Sequence, residues 1–305
     1  MFRVLATAFA ALAGLAFGSF LNVCLTRWPQ GESIVAPRSR CRNCNRTLAW
    51  WENIPLASWL VLRGRCRTCS AWIGWRYPLV ELATCVLWAA VGCHFSDLPL
   101  SIDLPRLSIF ALAVSAIGQA FFYWLLIGLA VLDAENLWLP DWLTLPGIVI
   151  GFVLSMLNPA FGLEFDTLTR LPLKYELTYL KSELWRDATV YLLAMIAAAG
   201  LILLIRAIYW LIRRREGIGL GDAKLMAMLA AWLGFSRALF SFGIGIVFGA
   251  IAALALLAIP SSKKTEDPWS AAKLPLGTFL CIGGIIASLW GSQIITAYLR
   301  WAGFY

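Results

Sequence analysis

Eight apolar runs, separated by charged blocks, organise the chain. They cover residues 4–26, 78–95, 107–132, 142–157, 188–212, 222–235, 239–259 and 276–301. Most approach the ~20 residues a helix needs to cross the hydrocarbon core of a bilayer. Composition agrees with that reading. Hydrophobic residues make up 61% of the 305 and charged residues only 14%, where a soluble chain is about half apolar. The mean hydropathy is +0.76. The expected fold is an all-α integral membrane protein with about eight transmembrane helices. The sixth run is short and rich in Met and Ala, and fits a tilted or partly re-entrant helix as well as a full span.

The N-terminal segment 1–26 carries Arg3 ahead of the first run and small residues near Gly18, as a signal peptide would. It is longer than an ordinary h-region and ends in no small-x-small site, so it reads as the first membrane helix.

The net charge of +8 is unevenly placed. Arg27, Arg38, Arg40, Arg42, Arg46, Arg63, Arg65, Arg67 and Arg76 fall between the first two runs. Arg213, Arg214 and Arg215 follow the fifth, and Lys263, Lys264 and Lys273 follow the seventh. With eight spans these loops share one side, which the positive-inside rule makes the cytoplasm. Anionic lipid headgroups are sufficient partners for such charge, and no nucleic acid is called for.

The loop 27–77 is long enough for a small domain, and the remainder, 78–305, reads as one polytopic membrane domain. Within it the polar segment 158–187 lies on the outer side, and its helix-compatible stretch 174–185 is expected to pack on that surface. The sequence reading finds no internal repeat.

Loop 27–77 contains Cys41-Arg-Asn-Cys44 and Cys66-Arg-Thr-Cys69. Two C-x-x-C pairs so spaced match a zinc ribbon or knuckle. Four thiolates at ~2.3 Å close a tetrahedral structural site, and flanking arginines favour the thiolate. Disulfides do not suit a reducing cytoplasm. A polar loop of this size has little core, so bound metal would supply folding free energy. Cys24, Cys85, Cys93 and Cys281 lie in or beside apolar runs and read as small core residues. His94, the only histidine, falls at the outer end of the second run. No Ser-His-Asp or Cys-His arrangement can be built on it at the cytoplasmic side.

Acids in membrane segments need explaining. Asp133 ends the third run in Asp133-Ala-Glu-Asn-Leu-Trp-Leu-Pro-Asp141, and Asp222 opens the sixth in Gly219-Leu-Gly-Asp-Ala-Lys224. Charge counting puts both at the cytoplasmic boundary. Singly, Asp222 also fits an N-cap and Asp133 an acid at a helix end. Brought together, two carboxylates cannot easily both ionise. One then polarises a water while the other protonates the carbonyl or the leaving amine. Gly219 and Gly221 would let backbone approach an extended peptide. Asp141 reads as an N-cap for the fourth span. Lys224 is placed to meet a phosphate headgroup or to bias the dyad. Glu81, a turn into the second span, is placed to pair with an arginine of the cysteine loop.

These residues resemble the type IV prepilin peptidase family, the bifunctional leader peptidase/N-methyltransferases. The likeness runs through Gly18-Ser-Phe-Leu-Asn-Val, Pro37-Arg-Ser-Arg-Cys41, Glu52-Asn-Ile-Pro-Leu-Ala-Ser-Trp59, Arg63-Gly-Arg-Cys66 and Arg76-Tyr-Pro-Leu-Val-Glu-Leu82. It continues in Asp133…Leu139-Pro-Asp141, Gly-x-Gly-Asp-x-Lys and Leu274-Pro-Leu-Gly-Thr278. The segment 158–187 has no counterpart in that resemblance. The resemblance implies that Asp133 and Asp222 are catalytic, that the four cysteines bind zinc, and that Gly64 matters for methyl transfer. It implies prepilin or pseudopilin substrates, each with a basic leader and an apolar helix, S-adenosylmethionine as methyl donor, and a bacterial inner-membrane location with the active site facing the cytoplasm. Methylation rests on the resemblance alone, because no Gly-x-Gly-x-x-Gly loop appears. The competing readings are a peptidase without methylation, a carboxylate-based transporter, which would carry acids at the midplane and paired repeats, and a non-enzymatic membrane scaffold.

Overall fold

The structure is a computed structural model that describes residues 2–97, 106–157, 177–215, 217–258 and 274–303. Among the described residues, eight apolar helices answer the eight apolar runs. They are α1 (Phe2–Arg27), α3 (Arg76–Asp97), α4 (Arg106–Asn136), α5 (Asp141–Leu157), α6 (Leu177–Arg213), α7 (Leu220–Leu233), α8 (Phe235–Ala258) and α9 (Leu276–Trp301). A one-turn helix, α2 (Ala57–Val61), lies in the cysteine loop. Among the described residues the only extended pairings are two isolated bridges, Arg40 with Thr47 and Arg65 with Trp72.

Among the described residues six helices (α1, α3, α4, α6, α8 and α9) are long and apolar enough to cross a membrane. The other two are shorter: α5 has 17 residues and α7 has 14. At 1.5 Å per residue α7 extends about 21 Å, less than the ~30 Å hydrocarbon thickness. Its apolar character serves burial instead. Ten of its residues, Asp222 among them, are buried, and α5, α6, α8 and α9 pack around it. The expected sixth span is therefore a core helix enclosed by other helices.

The chain packs as two units, Met1–Gly128 and Leu129–Tyr305, with the division inside α4. In the first unit α1 and α3 meet along small residues. A Cβ added to Gly14 would lie 2.8 Å from the Thr84 carbonyl oxygen, and one on Gly18 would lie 2.9 Å from Glu81 Cα. Gly92 of α3 is equally close to Ala6 and Ala10 of α1. Without a hydrophobic drive between helices in lipid, close backbone approach of this kind supplies the contact. Trp124 Nε1 of α4 donates to the Phe17 carbonyl at 3.1 Å.

In the second unit Gly151 of α5 makes room for the Trp232 indole of α7. Trp232 Nε1 donates to the Gly147 carbonyl at 2.8 Å, and Ser155 Oγ to the Ala231 carbonyl at 2.9 Å. Gly283 of α9 meets the Ser241 backbone of α8, and Ser241 Oγ donates to the Leu280 carbonyl at 3.0 Å.

Residues 158–176 of the expected outer segment, and 259–273, lie outside the described residues. Residues 177–187 are not a separate surface helix. They form the beginning of α6, whose 37 residues run on without a break through the apolar stretch.

Candidate active site and metal centre

The cysteine loop is built from two similar knuckles. Cys41 N–H bonds the Arg46 carbonyl and Asn45 N–H bonds the Cys41 carbonyl, each at 2.9 Å. Twenty-five residues on, Cys66 N–H bonds the Ala71 carbonyl and Ser70 N–H the Cys66 carbonyl, again at 2.9 Å. Asn45 and Ser70 both adopt positive φ, 54° and 57°. The repeated unit is Arg-Cys-Arg-x-Cys, a short internal repeat that the sequence reading passed over.

The knuckles bring the Sγ atoms of Cys41, Cys44, Cys66 and Cys69 within 4.8 Å of one another. Cys41 Sγ and Cys69 Sγ are 3.7 Å apart. Four thiolates on one zinc at ~2.3 Å would stand about 3.8 Å from each other, so the donor set fits the ion. Backbone N–H groups of Cys69 and Thr68 draw the Cys66 thiol down to about 6. Bonds from the Ala71 backbone and the Asn43 side chain also lower Cys69. Cys44 goes the other way, up to about 11. Its bond with the Arg46 backbone favours the thiolate, but desolvation and the thiols of Cys41, Cys69 and Cys66 outweigh it. A divalent cation among the four sulfurs would remove that repulsion.

Gly64 sits beside this site with φ +67°, a left-handed conformation that suits glycine. A Cβ there would lie 2.8 Å from the Trp72 ring and 2.9 Å from the Trp59 ring. Trp59, Trp72 and Trp75 pack together with ring centroids 4.6–5.9 Å apart. Gly64 N–H bonds the Trp59 carbonyl at 2.8 Å. Gly64 is thus required by the shape of the module.

Several loop arginines are structural. Arg27 donates to the Ser33 and Pro37 carbonyls at 2.7 and 2.6 Å. Arg42 donates to the Thr26 carbonyl at 3.0 Å, and Arg76 to Thr26 Oγ1 at 2.6 Å. Arg46 pairs with the buried Glu52 at 2.6 Å. Among the described residues Glu81 has no arginine partner. It is buried on α3 and accepts the Leu56 N–H at 2.8 Å, with Ser19 and Asn22 of α1 also bonding to it. The positive φ of Leu56 (57°) marks the turn that presents this N–H. A backbone donor therefore takes the place expected for an arginine.

The second unit holds the aspartates. Asp133 lies one turn before the end of α4 and is buried. Its Oδ2 accepts the backbone N–H of Thr278 at 2.7 Å and lies 3.2 Å from Thr278 Oγ1. That hydroxyl also lies 2.9 Å from the Ala130 carbonyl, and the Gly277 backbone bonds to Asp133 as well. Asp133 is thus seated on the first turn of α9, where free N–H groups and the helix dipole favour an acid.

Asp222 is not the N-cap of α7. Gly219 is, and Asp222, three residues later, reaches back to accept the Gly219 N–H at 3.2 Å through Oδ2. Its other oxygen has no hydrogen-bond partner among the described residues. The two carboxylates act on each other electrostatically, and buried Cys281 of α9 feels both. Leu139 lies against both Gly221, next to Asp222, and Gly277, next to the Asp133 carboxylate, so the two aspartates flank one side chain.

Gly221 faces Leu139. A Cβ added to Gly221 would be 3.1 Å from Leu139 Cβ, so this glycine accommodates the chain's own turn. Asp141 opens α5 as its first residue, after Pro140, and its carboxylate pairs with Lys224 Nζ at 2.5 Å. Sequence reasoning missed Thr278, Gly277 and Leu139 as parts of the site. The Leu274-Pro-Leu-Gly-Thr278 motif pointed at the first two without giving a role.

Residues 12–95 match the bacterial peptidase A24 N-terminal domain, and residues 120–254 match the type IV leader peptidase family. Curated relatives match nearly end to end. A prepilin leader peptidase/N-methyltransferase of Stutzerimonas stutzeri is 31% identical over 96% of this chain and 93% of its own length. That of Pseudomonas aeruginosa is 32% identical over the same shares. That of Myxococcus xanthus is 34% identical over 87% of this chain and 69% of its own. The chain belongs to the prepilin leader peptidase/N-methyltransferase family. Members of that family are enzymes, and the apolar helices make this one a multi-pass membrane protein. No solved structure matches the chain.

Proposed function

We propose that the protein is an aspartic endopeptidase of the bacterial inner membrane, acting at the cytoplasmic face. It removes the basic leader from type IV prepilins or pseudopilins and N-methylates the new N-terminus with S-adenosylmethionine. The observation that carries the peptidase reading is the paired placement of Asp133 and Asp222. One is seated on the first turn of α9 and the other on the first turn of α7. Asp133 bears electrostatically on Asp222, and two carboxylates so placed would share a proton. The ionised member takes a proton from water, which attacks the scissile carbonyl, and the protonated member donates to the carbonyl oxygen. Collapse of the tetrahedral intermediate returns a proton to the leaving amine. Of the two, Asp133 carries more hydrogen bonds from backbone and hydroxyl groups. We assign Asp133, the more extensively hydrogen-bonded of the two, the base and Asp222 the acid for carbonyl attack.

The functional division follows the sequence reading: a first membrane helix at 1–26, a zinc-bearing loop at 27–77 associated with methyl transfer, and a peptidase membrane domain at 78–305. Cys41, Cys44, Cys66 and Cys69 would hold zinc, which supplies folding free energy to the loop. S-adenosylmethionine supplies the methyl group. Gly64 acts on methylation through the shape of the module, which its left-handed backbone and close tryptophans support. Anionic lipid is the expected partner of the basic loops.

The test uses purified protein in nanodiscs, a prepilin with intact leader, and mass spectrometry with and without S-adenosylmethionine. Wild type should remove the leader and, only with the cofactor, add one methyl. Folded Asp133→Asn and Asp222→Asn should leave the leader intact. If those variants cut at the wild-type rate, the aspartic reading falls. Cleavage without methyl addition would leave a peptidase alone.

A further inference from the structure

The proposed dyad sits on two chain segments. Asp133 is near the end of α4, and the turn after it runs through Leu137, Trp138, Leu139 and Pro140 into α5. Asp222 is in the first turn of α7. A peptide bond is cut efficiently only when the two carboxylates keep a set spacing, so something must tie the two segments together.

Two contacts do so. The first is steric. Leu139 lies against both Gly221, beside Asp222, and Gly277, beside Asp133. Added Cβ atoms would meet Leu139 Cδ1 at 3.2 and 2.9 Å respectively. The second is ionic. Asp141, two residues past Leu139, holds Lys224, two residues past Asp222, at 2.5 Å. Local bonds fix the ends of the turn: Leu137 N–H to the Asp133 carbonyl at 2.9 Å, and Thr144 N–H to the Pro140 carbonyl at 3.0 Å. Leu137 takes positive φ, 51°, to close it. The 141–224 pair joins the end of this turn to α7 by a polar bond between side chains.

We infer that Asp141 and Lys224 are positioning residues, whose ion pair holds the Leu139 turn against Gly221 and so sets the distance between Asp133 and Asp222. The inference rests on the aspartic-peptidase reading above. The pair's side chains are 59% and 35% exposed. An ion pair this open adds little to folding stability, so its loss should leave the protein folded and act on the chemistry. Because it touches no reacting atom, its loss lowers kcat and leaves KM nearly unchanged.

The test is a double-mutant cycle on prepilin cleavage in nanodiscs with Asp141→Asn, Lys224→Gln and the double variant, alongside Lys224→Arg, Asp133→Asn and Asp222→Asn. Each single loss should lower kcat about 10-fold, the scale of a sub-ångström misplacement of catalytic groups. The double variant should lose no more than either single one, Lys224→Arg should recover most of the rate, and the melting temperature should hold. Losses that multiply would overturn the inference. So would single variants that cut at the wild-type rate while Asp133→Asn and Asp222→Asn are inert; that result spares the aspartic reading. An active Asp133→Asn or Asp222→Asn removes the aspartic reading and the inference with it. A rise in KM that disappears when the leader's basic residues are replaced would make Asp141 a leader-binding residue instead, and would also refute the positioning role.

Discussion

Gly277→Ala sets stability and activity in opposite directions. The added methyl would stand 2.9 Å from Asp133 Oδ2, 3.0 Å from its Cγ and 2.9 Å from Leu139 Cδ1. Carbon–oxygen contacts settle at ~3.3–3.6 Å, so the carboxylate must retreat by about half an ångström. It cannot do so freely, because the Thr278 N–H holds the same oxygen at 2.7 Å. Leu139 cannot yield freely either, since Gly221 lies on its other side. A 1 Å misplacement costs ~100-fold in rate, and half of that about 10-fold. We expect kcat for leader cleavage to fall between about 10- and 100-fold. The helix should not suffer: Ala is a better helix former than Gly by up to ~1 kcal/mol. Gly249→Ala is the control, because its added methyl would meet only the Phe279 ring, at 3.5 and 3.9 Å. The assay is single-turnover cleavage in nanodiscs with a parallel thermal melt. Folded Gly277→Ala protein that cuts within about threefold of wild type would refute the seat assigned to Asp133, since a shift this close to the chemistry should cost more.

Other outcomes follow from the cysteine module. Removing zinc with a chelator should expose loop 27–77 to protease and abolish methyl addition, while leader cleavage persists; retained methylation by metal-free protein would contradict the structural role. Gly64→Ala must strain a left-handed residue and push Trp59 and Trp72 apart. It should weaken zinc retention, measured by metal content after dialysis, and lower methylation with it. Glu52→Gln should loosen the same loop at neutral pH, because Arg46, helped by the Ala49 N–H, holds the Glu52 carboxyl below its usual range. The folded value lies below the unfolded one. The stabilisation is therefore present above the unfolded value and lost as pH falls through the folded one. Protease protection of wild type and Glu52→Gln should accordingly converge in acid.

What the sequence made legible was local. A C-x-x-C pair declares itself because both thiols come from one turn, and the two knuckles need nothing from the rest of the chain to form. Long apolar runs declare helices for the same reason. The count of spans was harder, because a run of 14 apolar residues looks alike whether lipid or protein covers it. Only the packing of α5, α6, α8 and α9 shows that protein covers α7. Capping was half legible. An acid next to Gly221 signalled a helix start, but whether it caps from the N-cap position or from three residues inside depends on where the backbone turns.

The partners of the aspartates lay beyond any local rule. Thr278 is 145 residues from Asp133, and Lys224 is 83 from Asp141. Each motif nevertheless makes sense once its partner is known. In Leu274-Pro-Leu-Gly-Thr278, Pro275 is the N-cap of α9. Gly277 is small because a carboxylate stands where its side chain would be. Thr278 supplies both an N–H and a hydroxyl to that carboxylate. In Leu139-Pro-Asp141, the leucine fills the space that Gly221 and Gly277 leave, and the aspartate reaches Lys224. These two motifs and Gly-x-Gly-Asp are thus parts of one contact, divided among α7, α9 and the turn that leads from α4 into α5. A change in any one of them should be felt in the spacing of Asp133 and Asp222 before it is felt in the stability of the helices.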